Sequence, residues 1–125
     1  SEIFIPSSTT IGNANLILSG TQIQNNVQIG SHIYISNNIL LCSDVKINDY
    51  ANISNSSCIQ GGVIIDKGAY IGAGSSIIGH AKIGKWSIVG MGAVVINSVK
   101  DFEIVAGNPA KVIGINRLAK DLFDK

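Results

Sequence analysis

The sequence predicts an all-β chain, a parallel β-helix of about five coils of three hexapeptides each, followed by a short C-terminal helix. Three observations predict it. Counting in sixes from Ile5, every position up to Val95 is Ile, Leu or Val, sixteen in all. Four residues after each stands a small or β-branched residue, from Thr9, Thr21 and Val27 to Ala93 and Val99, with Asn15 the one departure. After Val99 the beat stops, and Ile115, Leu118, Ala119, Leu122 and Phe123 fall instead at helical spacing. Residues 1–100 are therefore read as the β-helix, and 101–125 as exit strands and an amphipathic helix.

A six-residue unit with one inward aliphatic residue, one inward small residue and one corner makes a short strand and a bend, but no core of its own. Three units close a triangular coil of eighteen residues. Stacked coils pair their strands in parallel about 4.8 Å apart, giving a column of roughly 25 Å whose aliphatic residues form continuous inner ladders. Each ladder residue buries a side chain worth about 1.5–3 kcal/mol. The corners hold Asn25-Asn26, Asn37-Asn38, Lys67-Gly68, Gly79-His80 and Met91-Gly92, pairs that tolerate left-handed backbone. A fixed internal period outranks local propensity in assigning the fold. The spacing does not set the hand of the coil.

The chain starts with a lead-in, Ser1 to Phe4, and Pro6 then removes a backbone donor from an exposed strand edge. From Ile11 to Val95 no loop interrupts the repeat, so any site must come from coil faces, corners and a neighbouring copy. The register fails at Asp101, a charge on an inward position. An extended piece from Glu103 to Ala106, a turn over Gly107-Asn108-Pro109-Ala110 and a second extended piece, Lys111 to Ile113, follow. A helix is expected from about Asn116, with Arg117 facing Asp121 and Asp121 facing Lys125. Its apolar stripe needs the open last coil or an adjacent subunit.

At 125 residues and 46% hydrophobic content the chain is read as one domain. Nine Lys and Arg against eight Asp and Glu leave it near neutral, which gives a nucleic-acid or acidic-membrane partner no electrostatic support. No signal-peptide pattern or twenty-residue apolar span is visible, so membrane insertion is not expected. Cys42 follows an inward residue and Cys58 precedes one, which implies no disulfide and makes a reduced cytoplasmic protein the default. Those cysteines with His32 and His80 do not offer four close metal ligands, so no metal is expected. Threonine ladders that would bind ice are absent from the pattern.

The stretch Ile83 to Ile113, IGKWSIVGMGAVVINSVKDFEIVAGNPAKVI, resembles the ending of the left-handed β-helix acyltransferases of the hexapeptide superfamily. The whole chain more closely resembles the β-helical domain of bacterial sugar acyltransferases that acetylate sialic acid or nucleotide-linked amino sugars. Phe4 to Gly12, FIPSSTTIG, matches the start of that domain. The resemblance implies a left-handed coil and a homotrimer. It also implies acetyl-CoA as acyl donor in the cleft between neighbours, and a sugar or nucleotide-sugar acceptor. Its chemistry is attack of a sugar amine or hydroxyl on the thioester, with a histidine base beside a carboxylate. The close family also precedes this domain with a small nucleotide-binding domain. The chain is then either an excised domain or one that takes its acceptor differently.

By that resemblance the family's catalytic histidine falls on Ser43, its acidic partner on Asp44, and a following glycine on Asn48. A second histidine, which contacts the coenzyme, falls on Asn52. Ala73 and Met91 match coenzyme positions, and Lys100 and Lys111 stand where they could meet its phosphates. Serine is no base, and Asp44 is one only if burial raises its pKa. His80 and Ser43 lie in hexads thirty-six residues apart, hence on one column face, two coils or about 10 Å distant. The candidate catalytic residues are therefore His80, Asp44 and Ser43, and the coenzyme residues Asn52, Ala73, Met91 and Lys111. Two readings follow: an acetyl-CoA-dependent sugar O- or N-acyltransferase, or a noncatalytic trimerising or ligand-binding module that has lost its base. A carbonic anhydrase of this fold needs three metal histidines where two are present.

Overall fold

A computed structural model of the chain describes residues 3–124. Fifteen two-residue strands, from Thr10–Ile11 to Val94–Val95, wind into three parallel sheets to which each coil gives one strand. Sheet A runs from Thr10–Ile11 to Lys82–Ile83, sheet B begins at Leu16–Ile17, and sheet C runs from Gln22–Ile23 to Val94–Val95. Partners are eighteen residues apart: Ile11 with Ile29, Leu41 with Ile59, Ile71 with Val89. The six-residue beat is thus one side of a triangle, and three beats close it.

The inward aliphatic residues from Ile35 through Leu41, Ile53, Ile65 and Ile77 to Val89 are fully buried. Beside them run the small residues, among which the polar ones are satisfied by their own corners. Ser75 Oγ donates to the Gly72 carbonyl at 2.7 Å, and Ser87 Oγ to that of Gly84 at 2.7 Å. Asn15, the departure from the pattern, donates to the Gly30 carbonyl at 2.8 Å and accepts from Ile33 N–H at 2.8 Å. Its amide therefore serves as a backbone bridge between coils, which offsets the desolvation of an unbonded polar group.

Every sixth residue from Ala14 to Gly92 has a positive φ. Glycine takes this conformation freely and Asn or Asp readily, but His32, Tyr50, His80 and Trp86 also adopt it, at about 1–2 kcal/mol each. Stacking offsets part of that: the His32 and Tyr50 rings lie 5.1 Å apart and nearly parallel along the edge between sheets A and B.

The two ends differ from expectation. The hexad at Ile5 forms no strand, and Ile5 and Ile11 are 46% and 44% exposed. At the other end Glu103–Ala106 joins sheet B beside Ile88–Val89, and Lys111–Ile115 returns antiparallel to it, two residues longer than predicted. The helix, Arg117–Phe123, starts behind its cap Asn116, whose side-chain amide donates to the Trp86 carbonyl at 2.8 Å. Of its apolar stripe only Ala119 is buried, and Leu118 and Leu122 face outward. The helix rests on the A–B edge, with the Phe123 ring 4.4 Å from Trp86 and Lys120 over Phe102. Its ion pair is Lys120–Asp124 at 2.9 Å in place of Arg117–Asp121, because Lys120 already lies on that edge. Lys125 is outside the described residues.

Candidate functional site

The three candidate catalytic residues share the edge between sheets C and A. Asn26, Asp44, Gly62 and His80 stand there one above another, a coil apart, all with φ between 57° and 72°. Backbone bonds fix the stack: Asp44 N–H to the Asn25 carbonyl at 3.0 Å, Gly62 to Ser43 at 3.0 Å, His80 to Gly61 at 2.9 Å. Asp44 and His80 are exposed, and Ser43 is half-buried beside Asp44. The imidazole of His80 folds down over Gly62, where an added Cβ would lie 2.3 Å from Nδ1. The ring therefore lies between the His80 and Gly62 corners, about half a coil of some 4.8 Å from each.

Ser43 is already engaged. Its N–H donates to Gln24 Oε1 at 3.0 Å, and its hydroxyl points to the same oxygen at 3.4 Å. A hydroxyl that spends its proton on a neighbouring amide has no basic partner, so nothing here makes it a nucleophile or a base.

Ala73 and Met91 lie on a different edge, between sheets B and C, each followed by a left-handed glycine. The glycines there divide by role. A Cβ on Gly72 would strike Met91 N at 2.6 Å, and one on Gly90 would meet the Ala106 Cβ at 3.0 Å, so these two let coils pack. Gly74 and Gly92 have nothing within 4 Å, and with Ala73 and the 81%-exposed Met91 they form a strip of bare backbone open to solvent. Lys111, exposed and paired with Ala106 in the exit hairpin, stands at the upper end of the same region. Asn52 sits on sheet B between Tyr34 and Tyr70, and its Oδ1 is enclosed without a hydrogen-bond partner.

Sheet C separates the two edges. Over its upper coils runs an apolar groove of about 280 Å³, lined by Gln60, Ser76, Ile78, Gly79, Val94 and Ile96. One end of the groove lies at Gly79, beside His80. Cys42 and Cys58 are free thiols on sheet C lower down, and burial together with the neighbouring Cys58 sulfur raises the Cys42 thiol pKa. Among the described residues no group of three or more His, Cys, Asp or Glu is placed to hold a metal.

No protein-family model and no curated sequence matches the chain. Solved structures do. A histidine variant of perosamine N-acetyltransferase from Caulobacter crescentus, in complex with CoA and GDP-perosamine, superposes with a TM-score of 0.88 at 27% identity, over 90% of this chain and 53% of that one. The fold is that of the hexapeptide-repeat sugar N-acetyltransferases. WeeI from Acinetobacter baumannii AYE matches at 33% identity and a TM-score of 0.73, over 86% of this chain and 56% of that one. AntD, an N-acyltransferase from Bacillus cereus complexed with dTDP and coenzyme A as a variant, shares the fold at 24% identity, with a TM-score of 0.87 over 98% and 81%. The chain spans about half the length of the perosamine enzyme and of WeeI.

Within one copy of this sugar N-acetyltransferase fold the candidate residues form two groups. His80, Asp44 and Ser43 stand on the C–A edge; Ala73, Met91 and Lys111 lie on or near the B–C edge; Asn52 faces away from the first group on the opposite sheet. Sequence reasoning missed Gln24 and Gly62. Gly62 is legible in the eighteen-residue period, since it precedes His80 by eighteen, whereas Gln24 precedes Ser43 by nineteen and reaches it only through its side chain.

Proposed function

We propose that the chain transfers an acetyl group from acetyl-CoA to the amine or hydroxyl of a sugar or nucleotide-linked sugar. The observation that supports this most is the groove over sheet C, which is lined at one end by Gly79, the neighbour of His80, in a fold shared with an enzyme complexed with CoA and GDP-perosamine. The open strip at Gly74 and Gly92, with the backbone of Ala73 and Met91, receives the pantetheine arm, and Lys111 meets the phosphates. The donor's thioester then lies at Gly79, and the acceptor's amine or hydroxyl attacks its carbonyl carbon from the C–A edge. The exposed His80 imidazole accepts the proton that the attacking amine or hydroxyl loses as its lone pair joins the carbonyl carbon. The coenzyme leaves as its thiol.

Asn52 faces the wrong way to join this chemistry in the same copy. An enclosed amide oxygen without a donor costs about 1–3 kcal/mol, and a second copy set against sheet B supplies one. We therefore place the active site between copies, in a closed homotrimer, working in the cytoplasm where acetyl-CoA is made. The competing reading, a noncatalytic module, draws on Ser43 being tied to Gln24 in the position of the family's base.

The test is acetyl-CoA turnover with an amino sugar and with its nucleotide-linked form, read as free thiol. Turnover is expected, and His80→Ala slows it by about 10²–10⁴ while calorimetry still shows acetyl-CoA binding. Binding without turnover by the unaltered protein selects the module. No binding at all, with the trimer intact, removes the coenzyme from both readings.

A further inference from the structure

We propose that the notch over the last turn of sheet A is an anion site that takes the diphosphate of a nucleotide-linked acceptor. This rests on reading the acceptor as nucleotide-linked with its reacting group at His80, and it adds where the phosphates lie. The notch has a volume of about 580 Å³, against 280 Å³ for the groove on sheet C. Three lysines line it: Lys82 from sheet A, Lys100 from the exit segment and Lys120 from the helix.

A shortened corner makes this notch. Val95 still pairs with Ile77, eighteen residues back, but Val99 bridges Ile83, sixteen residues back. The last coil therefore omits two residues where it turns from sheet C to sheet A. Among the described residues His80 is the top member of its left-handed stack. Ser98 comes instead over Lys82, whose backbone N–H donates to its Oγ at 2.9 Å, and from there the notch runs across sheet A to the helix. Lys82 follows His80 by two residues of extended strand, roughly 6.6 Å. That is close to the width of one sugar ring. A ring seated at the His80 corner thus presents the phosphate on its anomeric oxygen to the Lys82 end.

Carboxylates stand around the notch as well, and most are held by backbone donors. Asp101 Oδ1 accepts from Lys85 N–H and Glu103 Oε1 from Lys100 N–H, each at 2.8 Å. Asp66 accepts from Lys67 N–H at 2.7 Å and from the Asn48 amide at 3.0 Å, and reaches Lys82 only at 3.7 Å. Asp124 pairs with Lys120 at 2.9 Å across one exposed helical turn, a contact of small net worth that exchanges partners readily. Lys100 has no ion-pair partner among the described residues. The ammonium groups are therefore the uncommitted charges. A diphosphate accepts from Lys82 and Lys100 together and draws Lys120 off Asp124, and lysines suit it as point charges that impose no fixed geometry. Lys111, in the exit hairpin beside sheet B, stays with the coenzyme, so donor and acceptor phosphates have separate partners.

The probe is inorganic pyrophosphate, titrated into the full chain by calorimetry at low salt, with and without saturating coenzyme A. Binding is expected in both cases, and uridine diphosphate displaces it. In the double variant Lys82→Gln with Lys100→Gln, two exposed positions, affinity should fall about tenfold or more, with the circular-dichroism signal of the β-helix retained. Amide resonances of Ser98 and Lys100 should shift as pyrophosphate is added. No binding, or binding that the double variant keeps, overturns the site. Displacement of pyrophosphate by coenzyme A assigns the notch to the donor and overturns the acceptor reading. Pyrophosphate bound here in a protein without acetyl-CoA turnover supports the site and removes the transferase reading. Turnover of a nucleotide-linked amino sugar whose KM the double variant does not move overturns this inference and leaves the transferase.

Discussion

Asp66 is a carboxylate with only 8% of its surface exposed. Burial alone would raise its pKa. Against it act the Lys67 N–H at 2.7 Å, the Asn48 amide at 3.0 Å and the ammonium groups of Lys82 and Lys85, and together they hold it below the ordinary value. A folded pKa below the unfolded value of about 3.9 means that Asp66 contributes stability above that pH and loses it as the pH falls through the lower folded value. Asp66→Asn should therefore flatten the acid limb of a stability-against-pH curve measured by urea unfolding between pH 2 and 6; an unchanged slope would refute this. Leu41→Ala, at a fully enclosed rung, should lower stability by about 2–5 kcal/mol in the same assay. The aliphatic rungs could be read from the sequence because their identity repeats. The Asn48–Asp66 pair could not, because the eighteen-residue coil aligns the two positions but does not say that their side chains turn to each other.

Among the elements, the helix Arg117–Phe123 was visible in the sequence in place and type, but not in how it docks. Helical spacing marks a stripe; it does not say which part of the stripe is covered. The structure buries Ala119, stacks one face of the half-exposed Phe123 ring on Trp86 and leaves Leu118 outside. Phe123→Ala should thus speed amide exchange throughout the helix and leave the coils below Trp86 protected, as expected for a low-stability local unit. Leu118→Ala should do neither. Asn116→Ala removes both a cap and the bond to Trp86, and should lower helix protection by about 1 kcal/mol or more. The corners were legible where they carried Asn or Gly. Tyr50 and Trp86 were not, because nothing in a bulky aromatic residue announces a left-handed backbone; their neighbours in the stack hold them there.

Taken as one molecule, the column was the most legible feature, since three sheets with eighteen-residue register follow from a single period. The site was less so. The resemblance supplied residue types, whereas the structure distributes them over two edges and the opposite sheet, a division that only the folding of six residues into one side reveals. If the active site lies between copies, sedimentation should give a trimer. Ile78→Asp with Ile96→Asp, both 47% exposed on sheet C, should then yield monomers that keep the β-sheet signal, with sedimentation as the readout because both side chains also line the groove proposed for the donor. A wild-type monomer with full activity would contradict that arrangement.

The unbroken left-handed corner at every sixth residue also limits how such a chain can change length. Adding or removing six residues rotates everything downstream by one side, moving His80 to a different flank from Asp44. Adding or removing eighteen restores every residue to its own flank and only lengthens or shortens the tower. Growth of this protein by whole storeys keeps its flanks in register; growth by any other increment scrambles them.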